Sequence, residues 1–549
     1  MLVLSAAEMQ ACDRATTERY GVASIDLMRA AAAAVAAFAR EQFPRARRVT
    51  VLCGRGNNGG DGMMTAWLLA DAGLDVMTVL LGEPEGLKGD AAEAWAELTN
   101  PERGKIHVVT VAEELVRLKK ALDTDLIVDA VVGTGFKPPL KGLALAALKW
   151  MKGSKAPVLS VDLPSGWAAD GSDAGSESPV YPSDAVITFT APKPAHVFGQ
   201  LTRRWDEPVV VAPIGSPEAA IVSALKVHWA GSAMELVQTP RAAGANKGSF
   251  GHVLVVGGTF GSAGGKAGAP AMSALAALRV GAGLVTAAVP GPALAVVSAV
   301  APELMTWPLE ASAVGAISDA NLAPERVAAL IAGKTVLAIG PGLGQLAETV
   351  KFATGLLAET KMPAVIDADA LNILAAKPVL LAKLAKGRTL VLTPHPGEMA
   401  RLTGKTVAEV QARRLEVART FAEKLGVTVV LKGARTLIAH PNGQVSVNTT
   451  GNPAMAKGGS VDVLTGLIAG MMAQYPGDVA QAVEAAVYLH GLAADMAVHE
   501  GDEHTLLATD SLRQLGRVFR FKVRGANGYV WLQGLPADAL EAVSHEGSL

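Results

Sequence analysis

Short apolar, β-branched segments alternate with helical patterns along most of this 549-residue chain. Continuous apolar runs are typical of strands buried on both faces, and helices between them indicate parallel strands joined by crossovers. The sequence therefore predicts two α/β domains with covered sheets. Their strands are RVTVLC, DVMTVLL, DLIVDAVV, APVLSVDL, DAVITFT and EPVVVAPIG in a first series, and HVLVVGG, GLVTAAVP, TVLAIG, PAVIDAD, TLVLTP and VTVVLKG in a second.

The chain divides where this alternation lapses. Regularity is lost over about residues 225–245, a stretch that ends in PRAAGANKG and is typical of a linker. We expect one domain over residues 1–225, a second over 240–515, and a loosely attached tail over 520–549 with weak periodicity. Near the end of the second series, an Asn-Gly pair at 442–443 separates two alternating runs and predicts a hairpin.

Composition excludes several classes of protein. Half of the residues are hydrophobic, yet no apolar run approaches the roughly 18 residues of a membrane-spanning helix. Glu8 and Asp13 interrupt any resemblance to a secretory signal. Two cysteines cannot form a disulfide framework, and a net charge of −2 offers no footprint for nucleic acid. We therefore expect a cytoplasmic protein that binds neither membrane nor nucleic acid.

The first polar motif, LCGRGNNGGDG, follows a strand and opens a helix. It contains GxGxxG, but a dinucleotide fold also needs an acid at the end of the next strand, where only Glu83 lies, rather late. That fingerprint does not require Asn57, Asn58 and Asp61. Backbone N–H groups at a helix start can face an anion, and amide oxygens can bind a hard cation. The alternative is that these side chains only cap the helix.

Two other strand ends carry an Asp followed by a glycine-containing turn. Asp129 precedes Gly133 and Gly135 in VDAVVGTG. Asp162 precedes Ser165 in VDLPSG. Because the carboxyl ends of parallel strands share one edge of a sheet, we expect the three loops to converge on one site. Each Asp taken alone could instead be a helix cap.

These three motifs, preceded by SAAEMQACDRA, resemble the NAD(P)H-hydrate epimerase domain over about residues 1–220. The resemblance implies a Rossmann-like domain in which Asn58, Asp129 and Ser165 hold a potassium ion. Asp162 would meet the hydrated nicotinamide ring and mediate proton transfers there. The substrate phosphates would lie over two loops, namely Asn57, Asn58, Gly59, Gly60 and Asp61, and Gly133, Thr134, Gly135, Phe136, Lys137, Pro138 and Pro139.

Five short elements mark the second series. Glycines and Asp462 open an apolar helix in KGGSVDVLTG, an arrangement that can hold a phosphoryl group while the carboxylate takes a hydroxyl proton. Asp462 could instead only cap that helix. His395, between two prolines, could be structural, and Lys432 is either a phosphate contact or an ordinary strand-end lysine. The other elements are NKGSFGHVLVVGG, IGPGLG, TPHPGE and LKGART.

As a set, these elements resemble the ribokinase-like NAD(P)H-hydrate dehydratase domain over about residues 240–515. The resemblance implies that ADP, with ATP as the alternative, phosphorylates the ring hydroxyl of the S hydrate of NADH or NADPH. Loss of phosphate then restores the cofactor and leaves AMP, with Mg²⁺ accompanying the nucleotide and the chain forming a homo-oligomer. Ala277, Gly344, His395 and Asp462 would contact the hydrated cofactor. Lys432, Gly433, Ala434, Arg435, Thr436 and Val461 would contact the nucleotide.

Two positions depart from the family pattern. Val461 stands where the family has a glycine directly before the catalytic Asp, and Ala454 stands where glycine is common. If position 461 needs a positive φ, strain of about 1–3 kcal/mol follows, so we expect weakened nucleotide binding. Two alternatives stay open: a ribokinase-like small-molecule kinase with Asp462 as base, and a nucleotide-binding scaffold with an impaired dehydratase site.

Overall fold

The chain forms two compact units, each with its own large sheet. One unit comprises Met1–Lys226 and Val523–Leu549, and the other comprises Val227–Lys522. None of the helices in the described part of the chain is long and apolar enough to cross a lipid bilayer. The computed structural model describes residues 1–99, 104–171, 179–536 and 539.

The first unit alternates strands and helices in the predicted manner. Its strands up to residue 226 are β1 (Arg48–Cys53), β2 (Asp75–Leu81), β3 (Lys105–Val109), β4 (Leu126–Ala130), β5 (Val158–Val161), β6 (Ala185–Phe189) and β7 (Val209–Ala212). Its helices are α1 (Ala6–Tyr20), α2 (Ser24–Gln42), α3 (Asn57–Asp71), α4 (Asp90–Leu98), α5 (Ala112–Arg117), α6 (Gly142–Met151) and α7 (Pro194–Phe198).

These seven strands are parallel, in the order β3-β2-β1-β4-β5-β6-β7. Strand β1 pairs with β2 on one side, where Cys53 lies opposite Leu80, and with β4 on the other, where Cys53 lies opposite Ala130. Buried residues of α2, α3 and α4 pack on one face of the sheet, and those of α5 and α6 pack on the other. The chain order reverses at β1, so the loops after β1 and β4 diverge and leave a crevice at the carboxyl edge.

Glycines of the NNGGDG region allow α3 to lie very close to this edge. A Cβ added to Gly54 would lie 2.0 Å from the Val131 carbonyl oxygen, and one added to Gly59 would lie 1.8 Å from the Gly54 oxygen. One added to Gly62 would lie 2.5 Å from the Ala130 Cβ. These three glycines therefore serve close packing, which brings the first turn of α3 into the crevice.

The second unit contains a ten-stranded sheet within the described residues. Its strands are β8 (Val227–Trp229), β9 (His252–Val256), β12 (Leu284–Pro290), β13 (Met305–Leu309), β14 (Val336–Ile339), β15 (Ala364–Ile366), β16 (Leu390–Leu392), β17 (Thr428–Leu431), β18 (Leu437–Ala439) and β19 (Val445–Val447). A separate two-stranded ribbon consists of β10 (Phe260–Gly261) and β11 (Gly264–Gly265).

The helices of the second unit belong to the crossovers and to its carboxyl-terminal part. They are α8 (Met234–Gln238), α9 (Gly268–Arg279), α10 (Leu294–Ser298), α11 (Pro324–Ile331), α12 (Ala347–Glu359), α13 (Ala368–Ala375), α14 (Pro378–Ala385), α15 (Pro396–Thr403), α16 (Val407–Ala412), α17 (Arg414–Leu425), α18 (Ser460–Gln474), α19 (Val479–Glu500) and α20 (Ala508–Arg520).

The large sheet of this unit runs β13-β12-β9-β14-β15-β16-β17-β18-β19-β8. Pairing is parallel as far as β17 and antiparallel where β18 joins β17 and β19. The predicted hairpin at Asn442 and Gly443 is confirmed as the β18–β19 turn, with Gly443 at φ +81°. The predicted fold class, a Rossmann-like three-layer domain followed by a ribokinase-like three-layer domain, is likewise confirmed.

Two predicted boundaries are wrong. Residues 227–238 of the supposed linker belong to the second unit, because β8 adds a parallel edge strand to β19 and α8 follows it. The supposed tail supplies a twentieth strand, β20 (Val530–Gln533), which pairs antiparallel with β7. Both segments lie outside the two regular series of strands and helices, and the place of each strand is decided by pairing with a distant strand. Residues 537, 538 and 540–549 of the supposed tail lie outside the described residues.

Candidate active sites

The loops after β1, β4 and β5 meet, as predicted, around a cavity of about 840 Å³. Helices α1 and α2 close its other side, where Asp13 of α1 faces the loops. Of the proposed phosphate-binding residues, Gly59 and Gly60 are buried in the first turn of α3, and Lys137, Pro138 and Pro139 do not line the cavity. The residues from the predicted site that do line it are Asn57, Asn58, Asp61, Gly133, Thr134, Gly135, Phe136 and Asp162.

Asp162 is held by donors from three segments. Its Oδ2 accepts from the backbone N of Thr134 at 2.9 Å and from the Thr134 hydroxyl. Its Oδ1 accepts from Thr188 Oγ1 and from Lys193 Nζ, each at 2.9 Å. The residue also has φ +65°, a left-handed conformation that a non-glycine residue keeps only when its surroundings enforce it. The carboxylate is therefore fixed in position before any ligand arrives.

Lys193 and His196 complete this centre, and the sequence analysis missed both. Lys193 is only 2% exposed, and its ammonium also donates to Thr188 Oγ1 at 2.7 Å. Although burial opposes ionisation of Asp162, the Lys193 charge holds the pKa of that carboxyl far below its usual range. A signal was present in the sequence, since Lys193 follows strand β6 and lies between Pro192 and Pro194.

His196 stabilises the unusual backbone of Asp162. Its Nδ1 accepts from the Lys193 backbone N at 3.0 Å, so its Nε2 carries the proton and donates to the Asp162 carbonyl oxygen at 2.7 Å. Burial and the Lys193 charge lower the pKa of His196 to about 4. The imidazole is therefore neutral at physiological pH and acts as an anchor for the loop.

Asp61 lies in the same cavity, and its pKa is shifted in the opposite direction to that of Asp162. Burial raises the pKa of its carboxyl well above the usual value, and the charges of Asp162, Asp13 and Asp90 raise it further against the opposing effect of Lys193. No side chain of the described residues donates a hydrogen bond to this carboxyl. The cleft therefore combines a carboxylate that Lys193 keeps ionised, Asp162, with a carboxyl whose pKa is raised, Asp61.

Two of the three proposed potassium ligands, Asp129 and Ser165, are hydrogen-bonded to each other, and the third, Asn58, lines the cavity. Asp129 is fully buried and accepts from the backbone N of Ser165 at 2.8 Å and from its Oγ at 2.6 Å. Burial raises the pKa of Asp129 to about 6, against those hydrogen bonds from Ser165. The Asn58 side-chain amide nitrogen is buried without a partner, and a half-turn of the amide would present an oxygen instead. A buried carboxylate, an unpaired amide and a hydroxyl fit a hard monovalent cation.

The second candidate site lies at the first turn of α18. Asp462 is 9% exposed, and no group of the described residues donates a hydrogen bond to its carboxylate. Burial and the nearby charge of Asp367 raise the pKa of Asp462 to about 6, although Lys432 acts in the opposite direction. Its side chain reaches a cavity of about 400 Å³, lined by Gly265, Lys266, Gly268, Ala269, Gly342, Ala368, Asp369, Asn372, Glu398 and Asp462.

Lys432 is bound to a structural partner that the sequence analysis did not identify. Its Nζ lies 2.8 Å from Oδ1 of Asp367, which is fully buried at the end of β15. Asp367 also accepts from Thr393 Oγ1 at 2.7 Å and from Thr465 Oγ1, on α18, at 2.8 Å. This network ties the ends of β15, β16 and β17 to α18, so the Lys432 charge is largely balanced within the protein.

His395 caps α15 rather than standing free. Its Nδ1 accepts from the Gly397 backbone N at 3.0 Å, which leaves the proton on Nε2. Burial, together with the Lys432 charge, lowers the pKa of His395, so this half-exposed ring is a neutral donor beside Glu398. Gly344, at φ +79°, donates its backbone N to Asp369 at 2.8 Å. His395 and Gly344 therefore lie next to the cavity, because their neighbours Glu398 and Asp369 line it.

Two expectations in this unit are wrong. Ala277 is fully buried where α9 packs on Gly470 of α18, so its side chain cannot contact a ligand. Val461 lies inside α18 without a positive φ, because the left-handed residue is Gly459 at φ +95°. The conditional backbone strain at Val461 therefore does not arise. Its side chain is 38% exposed at the helix start, so any effect on a nucleotide is steric.

The loop between β17 and β18 contains the other proposed nucleotide residues. Gly433 has φ +139°, and Arg435 has φ +55° with its guanidinium donating to the Thr449 carbonyl oxygen at 3.0 Å. Ala434 accepts from Arg414, and Thr436 Oγ1 donates to the Gly433 oxygen. The loop is thus braced from within the unit, and its contact with a nucleotide stays a prediction.

Comparison with known proteins identifies the family. A model described as YjeF-related protein N-terminus matches residues 24–195, and one described as NAD(P)H-hydrate dehydratase matches residues 253–516. A bifunctional NAD(P)H-hydrate repair enzyme from Moorella thermoacetica is 40% identical over 538 residues, which cover 95% of this chain and 97% of that protein. The chain belongs to the bifunctional NAD(P)H-hydrate repair enzymes.

Other members of the bifunctional NAD(P)H-hydrate repair enzymes resemble the chain over almost its whole length. The Escherichia coli K12 enzyme is 34% identical over 532 residues, covering 94% of this chain and 93% of that protein. Among solved structures, an ADP/ATP-dependent NAD(P)H-hydrate dehydratase from Bacillus subtilis, co-crystallised with ATP and Mg²⁺, is 34% identical with a TM-score of 0.43. The match covers 52% of this chain and 96% of that structure.

Proposed function

We propose that this chain repairs hydrated NADH and NADPH in two steps, one in each unit. The first unit interconverts the R and S hydrates, and the second removes water from the S hydrate at the expense of ADP. The observation that carries the proposal is the Asp162 centre, where a buried lysine donates to one carboxylate beside a second carboxyl, Asp61, whose pKa is raised. Membership of the repair-enzyme family supports both halves.

Epimerisation needs an acid and a base in one cleft. The hydroxyl leaves the ring carbon as water after taking a proton, and the ring nitrogen lone pair forms the transient C=N bond. Water then adds to the other face of that carbon and loses a proton. We assign the first transfer to Asp61 and the second to Asp162, because neighbouring groups drive their pKa values apart. One turnover leaves a proton on Asp162 in place of Asp61, and exchange with solvent restores both.

Asn58, Asp129 and Ser165 would hold the potassium ion of the first unit. The ion would supply positive charge that balances the buried Asp129 and attracts the substrate phosphates. The partnerless amide of Asn58 supports this ligand set. Epimerisation should therefore depend on K⁺, and Asn58→Ala should lose that dependence while keeping the Asp162–Lys193 pair intact. Equal rates in Na⁺ and K⁺ would count against the ion.

Dehydration in the second unit needs a better leaving group than water. Asp462 is placed to take the proton of the ring hydroxyl as that oxygen attacks the terminal phosphorus of ADP. The bond from phosphorus to the bridging oxygen breaks, AMP departs, and the ring nitrogen expels phosphate. The neighbouring ring carbon then loses a proton to solvent, which restores the reduced nicotinamide. Backbone N–H groups at the start of α18 stabilise the phosphoryl charge. Mg²⁺ carried by the nucleotide would add charge screening.

The test is a repair assay with hydrated NADH, in which ADP and ATP are compared side by side. We expect the reduced-nicotinamide absorbance to return for both epimers, since the first unit supplies S hydrate from R. A small-molecule kinase would consume nucleotide without restoring absorbance, and a scaffold would do neither. Recovery limited to the S hydrate would show that the first unit does not epimerise.

A further inference from the structure

A second cavity of about 450 Å³ adjoins the Asp162 cleft in the first unit. It shares Arg55, Val131 and Val132 with the larger cavity, so the two are separated only by the loops after β1 and β4. The functions assigned above leave this space unused. Its lining residues are Gly54, Arg55, Leu81, Gly82, Glu83, Thr110, Val131, Val132, Leu143 and Ala144.

The position of this cavity follows from the strand order. Its lining comes from the residues after β1, β2, β3 and β4, whereas Asp162 follows β5 on the other side of the reversal. In a sheet of this order, the two halves of a dinucleotide lie on opposite sides of the reversal, with the pyrophosphate at the start of the helix after β1. That helix is α3, and its first turn lies at the boundary between the two cavities.

The chemistry of the lining suits a nucleoside. Leu81, Val131, Leu143 and Ala144 give an apolar floor that can take the face of a purine base. Glu83 and Thr110 are polar groups at the mouth, and no described residue forms a hydrogen bond or ion pair with the Glu83 carboxylate. Glu83 lies two residues beyond the end of β2, later than the acid that binds ribose hydroxyls in dinucleotide folds, yet it lines this cavity.

Arg55 marks the passage between the cavities. Its side chain crosses Gly82 and Gly86, where an added Cβ would lie 2.7 Å from its Cδ and 2.9 Å from its Nη1, respectively. The absence of side chains at these two glycines leaves room for the Arg55 guanidinium along the cavity wall. The guanidinium has no ion-pair partner among the described residues. A guanidinium in that passage matches a bridging pyrophosphate.

We propose that the 450 Å³ cavity is the adenosine subsite of the first unit. The adenine and its ribose occupy it, Arg55 contacts the pyrophosphate, and the hydrated nicotinamide reaches Asp162 in the larger cavity. Glu83 faces the adenosine ribose and therefore favours the hydrate of NADH over the phosphate-bearing hydrate of NADPH. This inference rests on the proposed epimerase function, since it divides that substrate between two cavities.

The main test fills the subsite with Ala144→Phe, and Lys149→Phe on the exposed side of the same helix, α6, is the matched control. Epimerisation is measured without nucleotide, so that the second unit cannot dehydrate the substrate. We expect Ala144→Phe to raise KM for hydrated NADH about tenfold and to abolish inhibition by ADP-ribose. Inhibition by nicotinamide mononucleotide, which fills only the larger cavity, should persist. Unchanged ADP-ribose inhibition in Ala144→Phe would overturn the subsite.

A second variant, at the exposed residue Glu83, tests the subsite without a change in the packed interior of the unit. Glu83→Gln removes a negative charge beside the ribose, so KM for hydrated NADPH should fall about threefold to tenfold while KM for hydrated NADH stays the same or rises. An equal change for both substrates would contradict the placement of Glu83. Calorimetric binding of ADP-ribose to the full chain, compared between the wild type and Ala144→Phe, separates the two proposals. Loss of one binding event in a chain that does not epimerise would keep the subsite and reject the activity.

Discussion

The two candidate sites each centre on an aspartate, but the protein treats these carboxylates in opposite ways. Asp162 is bonded to Thr134, Thr188 and Lys193, and that lysine keeps it ionised despite burial. Asp462 is similarly buried, yet no group of the described residues donates to its carboxylate, and its pKa rises to about 6. A buried carboxylate with a dedicated cation is a preorganised base. A buried carboxylate without a dedicated cation becomes a complete site only when its ligand binds.

The lysines explain this difference. Among the described residues, Lys193 forms an ion pair with Asp162 alone, and its charge also lowers the pKa of the neighbouring His196. Lys432 in the second unit is paired with the fully buried Asp367, and only its remaining field reaches Asp462. In the proposed mechanism, the first site therefore performs proton transfer with groups already in place. The second would depend on a nucleotide to bring the charge that its chemistry needs.

The largest expected effect comes from removing one carboxylate at a time. Asp162→Asn should lower the epimerisation rate by a factor of about 10² to 10⁴, the range for loss of a general base, and leave ADP-dependent repair of pure S hydrate unchanged. Asp462→Asn should do the reverse. Separate assays of R-to-S conversion and of NADH recovery measure the two rates. Loss of both activities in either variant would mean that the units do not work independently.

Stability must be controlled in that experiment, because Asp162→Asn leaves Lys193 buried without a counter-charge. Breaking a buried pair typically costs about 3–5 kcal/mol in the free energy of unfolding. Asp162→Asn combined with Lys193→Met removes both charges and should recover most of that stability, as followed by denaturant unfolding of the full chain. Epimerisation should stay lost in the combined variant. Recovered epimerisation would show that Asp162 has only a structural role.

The contrast also shows which parts of this protein the sequence reveals. Central strands such as β1 and β14 are continuous apolar runs and are found directly. The edge strands β3 and β13 were missed because each is partly exposed, and β8 and β20 because each gains its place only by pairing with β19 or β7. A continuous apolar run indicates burial on both faces, which β3 and β13 lack.

The same limit applies to the sites. Asp129, Asp162 and Asp462 each stand at a strand end or helix start beside glycine, so their positions were predictable from local order. Asp367 acquires its role only through Lys432, 65 residues away, and no local pattern announces such a pair. The expectation at Ala277 failed for the same reason, since its burial depends on the packing of α9 against α18. Contacts between residues that are distant in sequence can be identified only once the fold is known.

The two activities should also respond oppositely to pH. Dehydration needs ionised Asp462, whose pKa is raised to about 6, so its kcat/KM should fall about tenfold per pH unit below pH 6. Epimerisation needs protonated Asp61, so it should instead fall as pH rises through the elevated pKa of that carboxyl. Parallel profiles on one preparation would test both. Asp61→Asn should remove the alkaline fall together with most of the activity, and an unchanged profile in that variant would reject Asp61 as the acid.

The smallest effect is expected at Val461, where the second site departs from its family. The residue has no positive φ, so Val461→Gly relieves no backbone strain and only clears the approach to the start of α18. We expect KM for ADP to fall about threefold to tenfold, equivalent to roughly 1 kcal/mol, while added chain flexibility lowers stability by about 0.5–1 kcal/mol. Val407→Gly is the matched control, because Val407 is an exposed valine that opens α16. It should show the stability loss without the gain in affinity, and equal KM values in the wild type and Val461→Gly would show that the valine does not obstruct the nucleotide.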